Sequence, residues 1–281
     1  SNQDITQVDV DINDPSYCKL VDTAKQHIIA GDIFQVVLSR NFTIKTKAHA
    51  FDIYRALKQT NPSPYMFYIE ADDYAIAGAS PEKLISIQDN LIESCPLAGT
   101  APRSKTDDDA IASALLGNKK EVAEHMMLVD LARNDIGAVA VPGSVEVTKL
   151  KAIEQYTRVM HISSTVQGVL REDLDVFDAL KASFPAGTLS GAPKISAMNL
   201  IDKLENTQRG IYGGVICAID SQGNLESCIA IRTALIKNNI ASVRAGAGVV
   251  LDSEPQAEAD ETRHKAKAIL EGILRAEEQI A

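Results

Sequence analysis

Four short strand-like runs follow one another between residues 65 and 94, and they limit the possible folds more than any other feature. Asp-Asp, Ser-Pro and Asp-Asn breaks separate the runs. Short apolar runs divided by tight breaks predict an antiparallel meander. The runs cover Tyr65 to Glu70, Tyr74 to Ala79, Lys83 to Gln88, and Leu91 to Ser94.

Elsewhere, groups of strand-like runs are separated by single helical patterns. The strict strand–helix alternation of a parallel doubly wound sheet is absent, so the sequence predicts an α+β fold. Further strands are predicted at 34–44, 145–149, 156–170, 212–219, 225–236 and 242–251. Helices are predicted at 15–30, 50–59, 119–134, 175–183, 192–204 and 256–276, and residues 102–119 are expected to form a loop or a short helix.

Composition and charge exclude several classes of protein. The 281 residues are 45% apolar, enough for a substantial core, and no run reaches the ~18 apolar residues of a membrane-spanning helix. The net charge of −10 argues against nucleic-acid or anionic-membrane partners, which need clustered Lys and Arg. Four dispersed cysteines and the lack of a signal peptide predict reduced thiols in a cytoplasmic protein.

The N-terminal end differs from the rest of the chain. Residues 1–14 are polar and acidic, and the first two resemble a remnant of cloning. We therefore expect residues 1–14 to be disordered or derived from cloning. Residues 15–281 are predicted to form one domain.

Two pairs of glutamates have the spacing Glu-x-x-Glu at the heads of predicted helices. They are Glu121 with Glu124, and Glu258 with Glu261. Residues three apart share a helix face, so each pair would direct both carboxylates to one side. Two such pairs could converge on one hard divalent cation such as Mg²⁺. Alternatively, they are the acidic first turns of surface helices, which the helix dipole favours.

Three single residues have alternative interpretations. Arg232 lies in a predicted apolar strand and must pair with a carboxylate of the protein or of a ligand. His161 is embedded among apolar residues, where a hydrogen-bonded core histidine is more common than a catalytic one. Glu82 follows a predicted strand, where it could simply cap the next turn.

Four small-residue segments lie beside strands, where backbone can closely approach a ligand or another strand. Bulges, tight packing or helix caps would explain each segment singly. As a set they suit a small, oxygen-rich anion bound by backbone N–H groups. The segments are Ala98-Gly99-Thr100, residues 187–191, Tyr212-Gly213-Gly214, and Ala245-Gly246-Ala247-Gly248.

Longer motifs give the chain a family resemblance. Between about Gly31 and Ala268 it resembles the chorismate-utilising enzymes, most closely the synthase subunit (component I) of anthranilate synthases. So many motifs in order make the resemblance specific. They are DIFQVVLSR (32–40), NPSPYMF (61–67), PLAGT (96–100), EHMMLVDLARND (124–135), GTLSGAPK (187–194), AGAGVVLDS (245–253) and EADET (258–262).

The resemblance implies a fold and a metal site. The fold is a two-sheet β sandwich flanked by outer helices, here lacking some N-terminal elements. The metal is Mg²⁺, bound to the ring carboxylate of chorismate, with Glu124 and Glu261 as direct ligands. Glu121 and Glu258 would hold metal-bound water or orient the inner pair.

The resemblance also implies roles for the single residues. Glu82 would protonate the departing C4 hydroxyl as ammonia attacks C2, and His161 would serve the later elimination of pyruvate. Pro64, Tyr65 and Met66 would form one wall of an inhibitor site for tryptophan feedback. Residues implied to contact chorismate are Gly99, Thr100 and Thr188 around the ring, and Tyr212, Arg232, Gly246, Ala247 and Gly248 around the enolpyruvyl carboxylate.

Two positions separate branches of this family. Gln35 stands where isochorismate synthases carry a water-activating lysine, and Ala98 stands where aminodeoxychorismate synthases often carry a nucleophilic lysine. Both favour ammonia as the nucleophile, supplied from glutamine by an amidotransferase subunit (component II), and anthranilate as the product. A 2-amino-2-deoxyisochorismate synthase and an inactive chorismate-binding fragment remain as alternatives.

The chain also departs from the family pattern. Gly99-Thr100-Ala101-Pro102-Arg103-Ser104 replaces the usual Gly-Thr-Arg-Pro-Arg-Gly, so access to the site or docking of the partner would differ. The N-terminal region that carries a Leu-Leu-Glu-Ser element of the feedback site is missing. We therefore expect a shortened version of a longer protein or a reduced homologue, without feedback inhibition.

Overall fold

The computed structural model describes residues 8–104, 106–156 and 159–278, without the side chain of Thr100. Two compact units make up this part of the chain. Unit 1 contains residues 8–82, 186–214 and 229–278, and unit 2 contains the described positions of 83–185 and 215–228. The single domain predicted for residues 15–281 therefore comprises two units.

The described elements are groups of antiparallel strands separated by one or two helices, which confirms the α+β class. The strands are β1 (Asp9–Val10), β2 (Gln35–Lys45), β3 (Tyr65–Glu70), β4 (Ala75–Ser80), β5 (Lys83–Gln88), β6 (Leu91–Ser94), β7 (Leu97–Pro102), β8 (Glu146–Gln155), β9 (Val159–Val169), β10 (Gly191–Ala192), β11 (Val215–Ile219), β12 (Leu225–Ile229), β13 (Thr233–Lys237) and β14 (Ile240–Val249). The helices are α1 (Asp14–Ile29), α2 (Ala50–Thr60), α3 (Asp108–Gly117), α4 (Lys119–Gly137), α5 (Val176–Ser183), α6 (Gly187–Ser190), α7 (Lys194–Leu204) and α8 (Pro255–Glu278).

Unit 1 is built on a seven-stranded antiparallel sheet in the order β1-β2-β14-β13-β4-β3, with β10 also paired to β2. The long β2–β14 pairing sets Gly246 opposite Ser39 and Gly248 opposite Val37. Helices α2 and α8 bury their apolar faces against this sheet, and a second core cluster joins α1, α7, β2 and β14. Burying such apolar surface is the main stabilising contribution to the unit.

Unit 2 is built on a second seven-stranded sheet, in the order β11-β12-β5-β6-β9-β7, with β8 also paired to β9. Helix α4 contacts β7 and β9, and its buried residues include Val129 and Ile136. Asn118 caps α4 by accepting hydrogen bonds from the backbone N–H groups of Lys120 and Glu121. The cap fixes the start of the helix that carries the first glutamate pair.

Three local predictions were wrong. The meander predicted for residues 65–94 is two hairpins, because β3 and β4 pair in unit 1 whereas β5 and β6 pair in unit 2. The single strand predicted at 225–236 is broken at Arg232, whose φ of 51° is incompatible with a continuous strand. The segment Ala98-Gly99-Thr100, predicted to lie beside a strand, is itself part of strand β7, with a register shift between Ala98 and Thr100.

The prediction for residues 1–14 does not hold over its second half. Asp9 and Val10 pair with Thr43 and Phe42 of β2, and Asn13 caps α1. Residues 1–7 lie outside the described residues. The order of residues 8–14 follows from this pairing and capping, which composition does not reveal.

The four cysteines all lie within the described ranges, and none of them forms a disulfide, as predicted. None of the helices described here is long and apolar enough to cross a membrane.

Candidate functional site

Glu82 follows β4 in unit 1 and has a desolvated carboxyl group. Burial raises its pKa above the usual range, and the Thr188 hydroxyl and the Lys265 ammonium partly offset this rise. The Thr188 Oγ1 adjoins the carboxyl, although it makes no hydrogen bond of normal geometry to a described residue. A carboxyl with a raised pKa keeps its proton to higher pH, as a general acid requires.

Arg232 occupies the connection between β12 and β13, with its backbone in the left-handed region. Such a conformation costs a non-glycine residue about 1–3 kcal/mol and is concentrated at functional sites. Desolvation lowers the pKa of this guanidinium, opposed by Tyr212 and Glu261. Because none of the described side chains forms an ion pair or hydrogen bond with it, the structure favours a ligand carboxylate as its partner.

Tyr212 lies against the glycine segment of β14. A Cβ atom on Gly246 would lie 2.7 Å from the Tyr212 hydroxyl oxygen, and one on Gly248 would lie 2.7 Å from Nε2 of Gln35. At Gly246 the backbone oxygen of Leu38 would also lie 2.9 Å from the added Cβ, so a side chain is excluded there, whereas at Gly248 a Cβ would displace the end of the Gln35 side chain. Ala247, between them, is fully buried. Burial raises the pKa of Tyr212, so its hydroxyl stays protonated and can donate a hydrogen bond.

Gln35 begins β2 and has a buried amide oxygen, Oε1, without a hydrogen-bond partner in the described structure. Buried polar atoms without partners are rare in folded proteins. A ligand that donates a hydrogen bond would satisfy this oxygen. This unsatisfied acceptor belongs to Gln35, the residue whose identity favours ammonia as the nucleophile in the family resemblance.

The second glutamate pair lies in the first turns of α8. Glu258 is partly buried, and Glu261 pairs with Lys265 over 2.5 Å between Oε1 and Nζ. The same ammonium donates to the backbone oxygen of Gly246 over 3.0 Å. Sequence reasoning missed Lys265, because an i, i+4 Glu–Lys pair is typical of a solvent-exposed helix face.

In unit 2, His161 on β9 lies beside β7. Its Nδ1 is 2.9 Å from the backbone oxygen of Gly99, which fixes the neutral ring as the Nδ1–H tautomer and leaves Nε2 as the basic nitrogen. The ring packs edge-on against Tyr156, with 5.6 Å between centroids. Both of the alternatives for His161 remain compatible with this partly buried position.

The first glutamate pair lies on α4, close to the same strand. A Cβ atom on Gly99 would lie 3.0 Å from Oε2 of Glu121, which places this carboxylate beside β7. Gly99 has a φ of 67°, so it also supplies the left-handed conformation of the bulge. Glu124 lies 4.0 Å from the Lys120 ammonium and is partly exposed. Unit 2 therefore brings together Gly99, Glu121 and His161. The backbone of Thr100 pairs with His161, and its side chain lies outside the described part.

The chemistry of the glutamates suits a hard cation such as Mg²⁺, which prefers carboxylate oxygens. Within either unit, the described side chains form no group of three or more His, Cys, Asp or Glu placed to hold a metal. Each unit contributes one pair, and a metal site formed by all four glutamates stays a prediction.

The residues predicted for an inhibitor site lie at the start of β3. Pro64 is exposed, and Tyr65 and Met66 are partly buried. Met66 packs against the core between the unit 1 sheet and the helices α2 and α8, while alternation along the strand directs Tyr65 to the opposite face. The inhibitor role of these residues stays a prediction.

Comparison with known proteins gives this geometry its context. The family described as chorismate binding enzyme matches residues 1–271. The chain belongs to this family. Anthranilate synthase component 1 of Acetivibrio thermocellus is 51% identical over 269 residues, which are 95% of this chain and 54% of that protein. The chain thus spans about half the length of the relatives it matches.

Two solved structures share the fold of this chain. Anthranilate synthase component I from Streptococcus pneumoniae matches with a TM-score of 0.88 and 44% identity, over 96% of this chain and 61% of that one. The menaquinone-specific isochorismate synthase of Escherichia coli matches with a TM-score of 0.86 over 95% of this chain and 62% of that one, and its 24% identity supports the fold alone. Two antiparallel sheets with flanking helices are therefore the architecture of this family member.

Proposed function

We propose that this chain carries the chorismate-aminating activity of an anthranilate synthase component I, converting chorismate and ammonia into anthranilate and pyruvate in tryptophan biosynthesis. The observation that carries the proposal is the desolvated acid Glu82, in the same unit as Arg232, whose guanidinium pairs with no side chain among the described residues. This combination suits a carboxylate-bearing substrate with a hydroxyl that must leave. Gln35 and Ala98, in place of lysines, support ammonia as the nucleophile.

The residues divide the proposed reaction between them. Arg232 and the Tyr212 hydroxyl hold the enolpyruvyl carboxylate. Glu82 gives its proton to the C4 hydroxyl, which leaves as water while ammonia forms its bond at C2. The ammonium formed at C2 gives up one proton and becomes the amine. Nε2 of His161 then accepts the proton from C2 as the C–O bond to the side chain breaks, and the side chain departs as enolpyruvate, which takes up a proton at its methylene carbon to become pyruvate. Glu82 must regain a proton before the next turnover.

The ammonia source and the location are further parts of the proposal. The chain has no recognisable glutaminase nucleophile motif, so a glutamine amidotransferase subunit (component II) would supply ammonia. A cytoplasmic location stays a prediction of the sequence.

We also propose Mg²⁺ as the cofactor. Bound Mg²⁺ would neutralise the ring carboxylate and withdraw electron density from the ring. Glu124 and Glu261 would hold it directly, and Glu121 and Glu258 would act through water. For Glu261, this requires exchange of its ion pair with Lys265.

Glu124→Gln is expected to raise the Mg²⁺ concentration for half-maximal activity by more than about 100-fold, because it replaces a charged ligand with a neutral one. Glu121→Gln should raise it by only about 10- to 100-fold, the usual effect of a residue that acts through another ligand. Calorimetric titration of Mg²⁺ into the enzyme–chorismate complex measures the Mg²⁺ affinity of each variant independently of turnover. Glu124→Gln should again show the larger loss. A Glu124→Gln enzyme with normal Mg²⁺ affinity would refute the assignment.

The proposed function is tested by incubating the purified chain with chorismate, Mg²⁺ and ammonium. Fluorescent anthranilate and an equal amount of pyruvate are expected. Consumption of chorismate without release of pyruvate would instead assign a 2-amino-2-deoxyisochorismate synthase. Binding of chorismate by calorimetry without turnover would identify a fragment that needs a further region to act.

A further inference from the structure

A buried carboxylate, Glu205, organises a group of charged side chains in unit 1. Glu205 is the C-cap residue that follows α7, and its side chain is only 2% exposed. It accepts hydrogen bonds from the backbone N–H and the hydroxyl of Ser39 over 2.7 and 3.0 Å. It also accepts from two arginines, Arg209 and Arg244. Burying a carboxylate this deeply is costly unless hydrogen-bond donors and opposite charges surround it, as they do here.

Arg209 uses all three of its guanidinium nitrogens. Nε and Nη2 donate to the two oxygens of Glu205 over 2.9 and 2.6 Å, as a bidentate fork. Nη1 donates to the backbone oxygen of Leu189 over 2.6 Å, and Nη2 donates to that of Val37 over 2.7 Å. The guanidinium carbon also lies 5.7 Å from the centroid of the Tyr212 ring. A planar fork with five donors can satisfy all these directions together, whereas an ammonium cannot.

Apart from Glu205, three partners of Arg209 are residues of the proposed site or lie within two positions of one. Leu189 directly follows Thr188, which adjoins the carboxyl of Glu82. Val37 lies two positions after Gln35 on β2, so its side chain and that of Gln35 share one face of the strand. The third partner is the Tyr212 ring itself. One guanidinium therefore joins three segments that are far apart in sequence.

We infer that Arg209, held in place by Glu205, is a positioning residue that fixes Thr188, Gln35 and Tyr212 in the arrangement needed for substrate. The inference rests on the proposed function, because it assigns the three residues to one chorismate site. Arg209 acts through its neighbours. Small displacements in such a site are costly, since a misplacement of about 1 Å can lower the rate about 100-fold.

The test compares Arg209→Lys and Glu205→Gln with the control Glu277→Gln. Glu277 is a carboxylate of the same unit that accepts hydrogen bonds from the backbone N–H groups of Lys47 and Ala48. These two residues follow the C-terminal end of β2, whereas Gln35 lies at its N-terminal end. Its loss should destabilise the unit without disturbing the site. Thermal unfolding, kcat, and KM for chorismate are measured for all three variants and the wild type.

Arg209→Lys is expected to lower kcat/KM for chorismate about 100-fold, shared between a higher KM and a lower kcat. Glu205→Gln should change both constants in the same direction. Glu277→Gln should lower the unfolding temperature with KM unchanged. If Arg209→Lys unfolds at a lower temperature but keeps the wild-type kcat and KM, the guanidinium is merely structural and the inference is wrong.

A second variant covers the case in which Arg209→Lys folds poorly. Arg209→Ala is assayed with millimolar ethylguanidinium, which should restore part of the lost chorismate affinity in calorimetry. Absence of rescue in a folded variant would contradict the inference. If the wild type neither binds nor converts chorismate, the proposed function fails; if the wild type is active and the Arg209 variants match it, only the inference fails.

Discussion

Glu82→Gln is expected to lower kcat for the amination of chorismate by about 10²- to 10⁴-fold, the usual contribution of a general acid. The amide has the shape of the carboxyl group but cannot release a proton to the departing C4 hydroxyl. Because burial raises the pKa of Glu82, the wild-type rate should fall as pH rises through that raised value. The variant should lose this alkaline limb, and anthranilate fluorescence across pH measures both effects.

The stability of the same variant provides an independent check. Because the pKa of Glu82 is higher in the folded state, the folded protein binds its carboxyl proton more tightly than the unfolded chain does. The wild type therefore loses stability as pH rises from the ordinary glutamate pKa to the raised pKa. Glu82→Gln has no such group and should unfold at a higher temperature than the wild type at alkaline pH. The matched control is Glu271→Gln, which makes the same change on the exposed face of α8 and should leave rate and stability unchanged. If Glu82→Gln keeps the wild-type rate and pH dependence, a residue other than Glu82 protonates the C4 hydroxyl.

Arg232→Lys is expected to raise KM for chorismate by about 30-fold, the lower end of the effect of disrupting a desolvated, hydrogen-bonded charge pair, because the charge remains while the paired hydrogen bonds are lost. Lysine keeps the charge but cannot form the bidentate fork with a carboxylate. Lysine at position 232 would bear the same cost of a left-handed backbone as arginine does, so the variant tests the side chain alone. Initial rates across chorismate concentrations, together with calorimetric binding, give the effect.

The control for Arg232→Lys is Arg55→Lys, the same substitution on an exposed arginine of α2 that pairs with Asp52. Its KM should equal that of the wild type. A normal KM in Arg232→Lys would show that the guanidinium does not hold the substrate carboxylate. Such a result would leave Tyr212 and the β14 backbone as the remaining candidates.

Local elements were predictable from the sequence because their signals are local. The bounds of β3, β5 and β6 match their predicted ranges, since short apolar runs between turn residues admit few alternatives. Helices α1 and α8 begin within one residue of their predicted starts, because caps and apolar periodicity mark them. The site residues were predicted from motifs. The structure adds the desolvation of Glu82, and it shows that no side chain in the described part of the chain pairs with the guanidinium of Arg232.

Tertiary structure decided how these pieces combine. The sequence alone established the class of fold, the positions of most elements, and the acidic, basic and glycine residues of the proposed site. It did not reveal that the strand at 225–236 breaks at Arg232, that two hairpins belong to two sheets, or that Lys265 and Arg209 contact site residues. These features depend on pairing and hydrogen bonding between segments far apart in the chain. Periodicity and turn signals act over a few residues, so they carry no record of such contacts.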